Sequence, residues 1–191
     1  YSTKSHMSID PSTRRNLELF EGGRWGDKNS SLLSLLDNTT TSMGGRLLKK
    51  WLGQPLLDID NILRRLDAVD WCYQSALRRG RLISLLKSVS DLEGLINRVR
   101  GNTASPRDLV ALQTSLQRAP QIRSILEADA DKKQIAWLSK EISAHVEIVE
   151  LVEAAIKTDP PATFVDGGVI QEEFSDELDE LRHSSHHARQ Y

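Results

Sequence analysis

Apolar residues recur at three- and four-residue steps along most of this chain, and the breaks between the runs hold the Ser, Thr, Asp, Gly and Pro residues that start and stop helices. The firmest run follows three threonines at 39–41, where Met43, Leu47, Leu48, Trp51 and Leu52 share one helical face. Thr41 or Ser42 supplies a capping oxygen, and Gly53 with Pro55 ends the helix. Gly44 and Gly45 lie in its first turn and cost about 1 kcal/mol each relative to alanine, so a close backbone approach is expected there. Trp51, at the centre of this face, is expected to be buried, and its truncation to alanine to cost about 3 to 5 kcal/mol.

The same reading places the remaining elements. Residues 1–8 are polar and unpatterned, which fits a linker. Asp10 and Pro11 read as an N-cap followed by proline at the first helical position, with 16–20 continuing as a short helix or an extended piece. Residues 21–29, with three glycines, form a loop, and Leu32, Leu33, Leu35 and Leu36 make a short helix ended by Asp37 and Asn38. Behind an Asp58 cap, Ile59, Ile62, Leu63, Leu66, Val69 and Tyr73 line an amphipathic helix ending near Ala76. Two shorter helices are expected over 77–89 and 91–100. Gly101 and Asn102 break the pattern, Ser105 and Pro106 restart it with Leu109, Leu112 and Leu116, and Pro120 interrupts it before a short helix to Leu126. After a charged run at 128–133, Ile135, Leu138, Ile142, His145, Val149, Val152 and Ile156 predict the longest helix of the chain. Its coiled-coil-like seam calls for a long partner, and Asp159, Pro160 and Pro161 end it. Residues 164–171, with Gly167 and Gly168, read as a turn or short extended segment, and 176–191 as a helix.

Composition agrees with a helical fold. Hydrophobic residues make up 39% of the 191 residues and aromatic residues only 5%, which favours a core of Leu, Ile and Val on helices over a sheet rich in aromatic residues. The expected class is all-α: a multi-helix orthogonal or bundle domain with one long coiled-coil-like helix and a short extended turn. The net charge of −2 conceals an asymmetry: through Arg100 there are 16 Lys and Arg against 11 Asp and Glu, and beyond it 9 against 16. No aromatic-interleaved basic run accompanies the excess, so solvated helix faces explain it better than a nucleic-acid groove does. A single cysteine, Cys72, excludes an intrachain disulfide framework and points to a reducing compartment. No apolar run is long enough to span a bilayer and no signal peptide is evident. The first residue is Tyr1, which reads as a cut or processed piece of a longer chain.

Candidate chemistry is sparse. Gly22, Gly23 and Gly26 precede Asp27 and Lys28 without the strand or the spacing of a phosphate-binding loop. His183, His186 and His187 sit three and four apart, yet no cysteine or glutamate completes a zinc set, and a solvent-facing helix explains them. His145 falls on the seam, where a packed, hydrogen-bonded ring is expected. The basic clusters Arg14–Arg15, Lys49–Lys50, Arg64–Arg65 and Arg78, Arg79, Arg81 are placed to touch phosphates, but their alternation with apolar positions reads as the outer faces of core helices. Asp176, Glu177, Asp179 and Glu180 suit a solvated helix start. No catalytic, cofactor-binding or metal-binding residue is expected.

One stretch carries a resemblance. Thr39, Thr41, Met43, Gly44, Arg46, Leu47, Leu48, Trp51, Leu52, Pro55 and Leu56 resemble the signature of the core, or lever, domain of the MutS family of DNA mismatch-repair ATPases. Other pieces follow in that family's order: Asp10, Thr13 to Leu19, then Ile62 and Arg65 to Val69, then Ser105 to Leu109, then the turn of Gly167 to Ile170 leading to Glu177 through Arg182. Nearly the whole chain is covered. Two departures stand out: Glu173 occupies a position where the family usually has Gly before an aromatic residue, here Phe174, and Gly94 one where a charged helical residue is usual. Arg46 and Arg65 fall within the motif and are expected to pair with buried carboxylates.

The resemblance implies a division into a linker from an upstream connector domain (1–11), the helical core (12–175) and the start of a long lever helix toward a clamp domain (176–191). It implies a non-catalytic fragment without its own cofactor, in a parent that binds ATP and Mg and grips mismatched DNA through its clamp and mismatch domains. Further expectations are a MutS dimer partner, MutL, no membrane and a cytoplasmic location. The fragment would act mechanically, transmitting nucleotide-dependent change from the ATPase to the clamp. Alternatives are a MutS paralogue that lacks the mismatch domain and carries a nuclease, and an unrelated helical interaction module or DNA-binding regulator.

Overall fold

The computed structural model describes residues 5–23, 26–128 and 132–188, and every regular element among them is helical. In chain order these are α1 (Pro11–Asn16), α2 (Leu32–Leu36), α3 (Ser42–Gly53), α4 (Ile59–Tyr73), α5 (Ala76–Lys87), α6 (Leu92–Arg100), α7 (Pro106–Glu127), α8 (Lys132–Lys140), α9 (Val146–Ala155) and α10 (Asp176–Ala188). Single 3-10 turns lie at Lys28–Ser30 and Phe164–Asp166. The fold is all-α, as the composition and periodicity predict.

The helices start where short polar side chains take up orphan amides. Asp10 accepts from the Thr13 amide, Thr41 from the Gly44 amide at 3.1 Å, and Ser75 from the Arg78 amide at 3.2 Å. Ser105 and Asp108 bond reciprocally, amide to side chain in both directions, which is the capping-box arrangement at the head of α7. Ser75 caps α5 two residues after α4 has ended at Tyr73, so α4 stops short of the predicted Ala76.

The chain forms two compact units, Tyr1–Asp91 with Ala119–Ser143, and Leu92–Arg118 with Ala144–Tyr191. In the first, α8 packs along α4 and the core gathers Trp71, Leu126 and Ile135, the last only 1% exposed, with Ala68, Cys72, Leu82, Ile122 and Ile142 around them. The buried side of α4 is therefore that of Ala68, Trp71 and Cys72. Its predicted apolar face is left open: Ile59 is 69% exposed, Val69 63% and Tyr73 78%, with Leu63 and Leu66 also exposed.

In the second unit, Val152 and Ile156 of α9 meet Val169, flanked by Leu109, Val110, Ala155 and Ile170. An antiparallel bridge joins Ile156 to Ile170, with the Lys157 amide donating to Val169 O and the Gln171 amide to Ala155 O, both at 2.9 Å. This is the short extended segment expected after Gly167 and Gly168, both of which have φ near +70°.

Two predictions about helix continuity fail. The 135–156 run is not one helix: α8 ends at Lys140, α9 begins at Val146, and His145 between them is left-handed at φ 45°, ψ 45°. The reason lies in packing. Ile142 turns into the core of the first unit, where the Arg123 guanidinium takes its carbonyl at 3.3 Å, while Val152 and Ile156 serve the core of the second. One periodic pattern thus spans two cores, and the coiled-coil-like seam does not form. His145 is exposed and makes no capping bond, contrary to the packed ring expected. Conversely, α7 continues through Pro120. Apolar side chains before it (Leu109, Val110) and after it (Ile122, Ile125, Leu126) are packed in cores, which offsets a proline penalty of roughly 3 kcal/mol.

Candidate functional site

The signature stretch becomes α3 together with the turn that precedes it. Asp37 accepts from the amide of Thr39 at 3.0 Å and from its hydroxyl at 2.6 Å, and these bonds hold the Asp37 carboxyl below the usual carboxylate range. The two glycines are explained by this turn. A Cβ on Gly44 would stand 3.3 Å from the Thr39 Cβ, and one on Gly45 3.3 Å from the Thr39 hydroxyl and 3.4 Å from the Asp37 carboxylate. The close approach is made by side chains of the capping turn, not by a second backbone.

Residues before α1 run back along the exit of α3. His6 bridges to Leu56, the Met7 amide donates to Pro55 O at 2.8 Å, and the Leu57 amide to Ser5 O at 3.1 Å. Between this segment, α1, α3 and α4 lies a cleft of about 400 Å³, lined among others by His6, Arg14, Lys50, Trp51, Gln54 and Arg65. Three of the basic pairs seen in the sequence each send one member into it. Their neighbours go elsewhere: Lys49 lies 5.6 Å from the Phe20 ring centre, Arg64 lies 5.1 Å from that of Trp137, and Arg15 is exposed.

Inside the cleft the Arg65 guanidinium is stacked on Trp51 at 3.8 Å from the ring centre, and burial lowers its pKa from the ordinary arginine value. Arg14 reaches the Gly53 carbonyl with one terminal nitrogen at 3.4 Å, while its Nε is buried without a hydrogen-bond partner. Among the described residues no carboxylate lines the cleft, and none of Arg14, Lys50 and Arg65 has an ion-pair partner. Arg65 thus meets an indole, not the buried carboxylate expected. Arg46 does find a carboxylate, gripping Asp91 with both terminal nitrogens at 3.0 and 2.6 Å, but the pair is about 40% exposed and worth at most about 1 kcal/mol.

On the other side of Trp51 and Arg65 an apolar groove of about 550 Å³ runs past Val69, Cys72, Tyr73, Trp137 and Leu138. Burial pushes the Cys72 thiol pKa up against the opposing pull of Arg78 and Arg79, so this cysteine has the character of a packing residue.

The other sequence candidates do not assemble. Among the described residues no three His, Cys, Asp or Glu side chains gather at metal-binding distance. His183 is exposed beside Glu172, Glu173, Asp179 and Arg182, and the side chains of His186 and His187 lie outside the described residues. In the 21–29 loop the Gly22 amide pairs with Asp27 O and the Gly23 amide with Glu18 Oε1, so these amides are already committed. No helix of the described residues is long and apolar enough to cross a membrane. The cleft itself escaped sequence reasoning, although each of its arginines and its lysine belongs to a basic doublet in which the two side chains diverge.

At its other end the chain shows the second part of the motif. Arg182 of α10 donates to Ile170 O at 2.9 Å and Gln171 O at 3.4 Å, and pairs with Asp179 at 2.7 Å, tying the helix to the extended turn. Glu173, the residue in place of the usual Gly, has φ +67°, and its amide donates to Asp179 Oδ2 at 2.7 Å.

Comparison with known proteins agrees with this arrangement. The sequence model of MutS domain III matches residues 12–190. The chain is 44% identical over 182 residues to a DNA mismatch repair protein MutS of Exiguobacterium sp. and 42% identical over 182 residues to one of Pelotomaculum thermopropionicum, each alignment covering 95% of this chain and 21% of the relative. A MutS of Methanothrix thermoacetophila is 38% identical over 192 residues, 100% of this chain and 22% of that protein. The chain spans about a fifth of the length of these relatives. The match across residues 12–190 shows that the chain belongs to the MutS domain III family.

Proposed function

We propose that this chain is the core and lever portion of a MutS-type DNA mismatch-recognition protein, and that it couples nucleotide-dependent change in an ATPase domain to the grip of a DNA clamp. The observation that carries the reading is the family match over 12–190 together with relatives named as DNA mismatch repair protein MutS. In this reading 1–11 is the lead-in from a connector domain, 12–175 the core, and 176–191 the start of the helix toward the clamp. The fragment is non-catalytic and holds no cofactor, while ATP, Mg, mismatched DNA, a MutS partner and MutL are engaged through other parts of a cytoplasmic parent.

A lever needs discrete packing states rather than a soft rod. Arg182 fits that need, because it joins α10 to the Val169–Gln171 segment through two backbone carbonyls. The exposed face of α4 fits as well, since in a larger protein further helices would cover it. The test uses full-length protein containing this chain. Arg182→Ala is expected to leave ATP binding and mismatch binding each within threefold, while reducing the ATP-driven release of mismatched DNA at least tenfold. Unchanged ATP-driven release in a folded Arg182→Ala protein would remove the lever assignment from α10.

A further inference from the structure

We propose that the cleft beside Trp51 is a binding site for a small, multiply charged inorganic phosphate anion, such as pyrophosphate or triphosphate, held by Arg14, Lys50 and Arg65. The argument begins with charge. Four arginines elsewhere in the chain have carboxylate partners, Arg46 with Asp91, Arg98 with Asp108, Arg123 with Glu127 and Arg182 with Asp179, while Arg78, Arg79 and Arg107 bond backbone carbonyls. In the cleft three cations from three different helices converge with no carboxylate in the lining and no ion pair among the described residues. Bringing like charges together is unfavourable unless a counter-charge offsets it, and the ring of His6 adds a fourth group able to donate to an anion.

Geometry gives the second argument. Arg14 Nε is buried without a hydrogen-bond partner, an arrangement that costs about 1 to 3 kcal/mol unless a ligand supplies the acceptor. Arg65 is held flat on Trp51, so its edge is pre-organised for the paired hydrogen bonds that guanidinium makes with tetrahedral oxyanions. The size of the cleft, about 400 Å³, lies at the small end of ligand pockets, enough for two or three linked phosphates. A protein carboxylate would bring one charge to three cations. A DNA backbone would also present one phosphate at a time, with its other charges spread along a rod. A di- or triphosphate concentrates its charge within the cleft.

Isothermal titration of the 191-residue chain with sodium pyrophosphate, at fixed ionic strength, tests the assignment. The expected result is saturable one-to-one binding, weakened at least tenfold by Lys50→Gln and by Arg14→Gln. It should be unchanged in Lys87→Gln, which alters an exposed lysine outside the cleft. Lys50 is also exposed, so its replacement keeps the test decisive if Arg14→Gln fails to fold. Absence of saturable binding, binding indifferent to the Lys50 change, or displacement of pyrophosphate by a short DNA duplex would each overturn the proposal.

Discussion

Trp51 and Arg65 show how one contact changes the expected energetics of a residue. The helical pattern places Trp51 at the centre of an apolar face, which predicts a fully buried ring. The structure leaves it half-buried, with one face against the Arg65 guanidinium and its edges on two clefts. Trp51→Ala is therefore expected to cost about 1.5 to 2.5 kcal/mol, below the roughly 3 to 5 kcal/mol of a fully buried aromatic residue. Urea unfolding followed by far-ultraviolet circular dichroism measures it, and a loss above about 3.5 kcal/mol would mean that the ring is buried after all. The pairing was not legible in the sequence. Periodicity reports which positions face inward, but an arginine next to an apolar position does not announce that its guanidinium lies flat on an indole from another helix.

At the scale of elements, the caps and helix starts were readable because their chemistry is local: Asp10, Thr41, Asp58 and Ser75 each bond an amide within three residues. What was not readable is which core an apolar residue serves. The 135–156 pattern is shared between two cores, so its rhythm looked continuous where the backbone breaks. Likewise the apolar stripe of α4 read as a core face, while Trp71, a residue outside that stripe, is the one that is buried. Val69→Gln is accordingly expected to change stability by less than about 0.5 kcal/mol, and Trp71→Ala to cost at least about 3 kcal/mol. Equal losses in the two urea titrations would contradict this orientation of α4. Glu173 offers a change of the opposite sign. Its φ of +67° is a left-handed conformation that costs an L residue roughly 1 kcal/mol, whereas the bond to Asp179 uses the backbone amide and survives any side chain. Glu173→Gly is expected to raise stability by about 0.5 to 1 kcal/mol in thermal unfolding. Glu172→Gly, at a position without positive φ, is expected to lower it, and a loss in both would rule out strain at 173.

Over the whole molecule the acid limb of stability follows from aspartates distributed through both units. Asp10 and Asp37 are held below the ordinary 3.8 first by the hydroxyls of Thr13 and Thr39, and Asp27 first by the Asn29 amide. Asp108 is held there first by Arg98 and then by Ser105, and Asp179 first by the Glu173 amide. All five shifts have one sign: the native state binds these protons more weakly than the unfolded chain does. A carboxylate with a depressed native pKa contributes stability that is present above the unfolded value, and loses it as pH falls through the native value. The window therefore opens near pH 3.8 and extends downward, with none of this effect between pH 7 and 5. Urea midpoints are expected to agree at pH 7 and 5 and to fall as pH drops below about 4. Asp108→Asn separates this linkage from a general effect of positive charge, because it removes one titrating cap while Arg98 and Ser105 stay in place. The variant is expected to be less stable than the parent at pH 7, and the gap to narrow as pH falls below 3.8 and the native Asp108 takes up its proton. A gap that did not narrow at any pH below 3.8 at which the parent stays folded would mean that the substitution acts through packing and not through the proton.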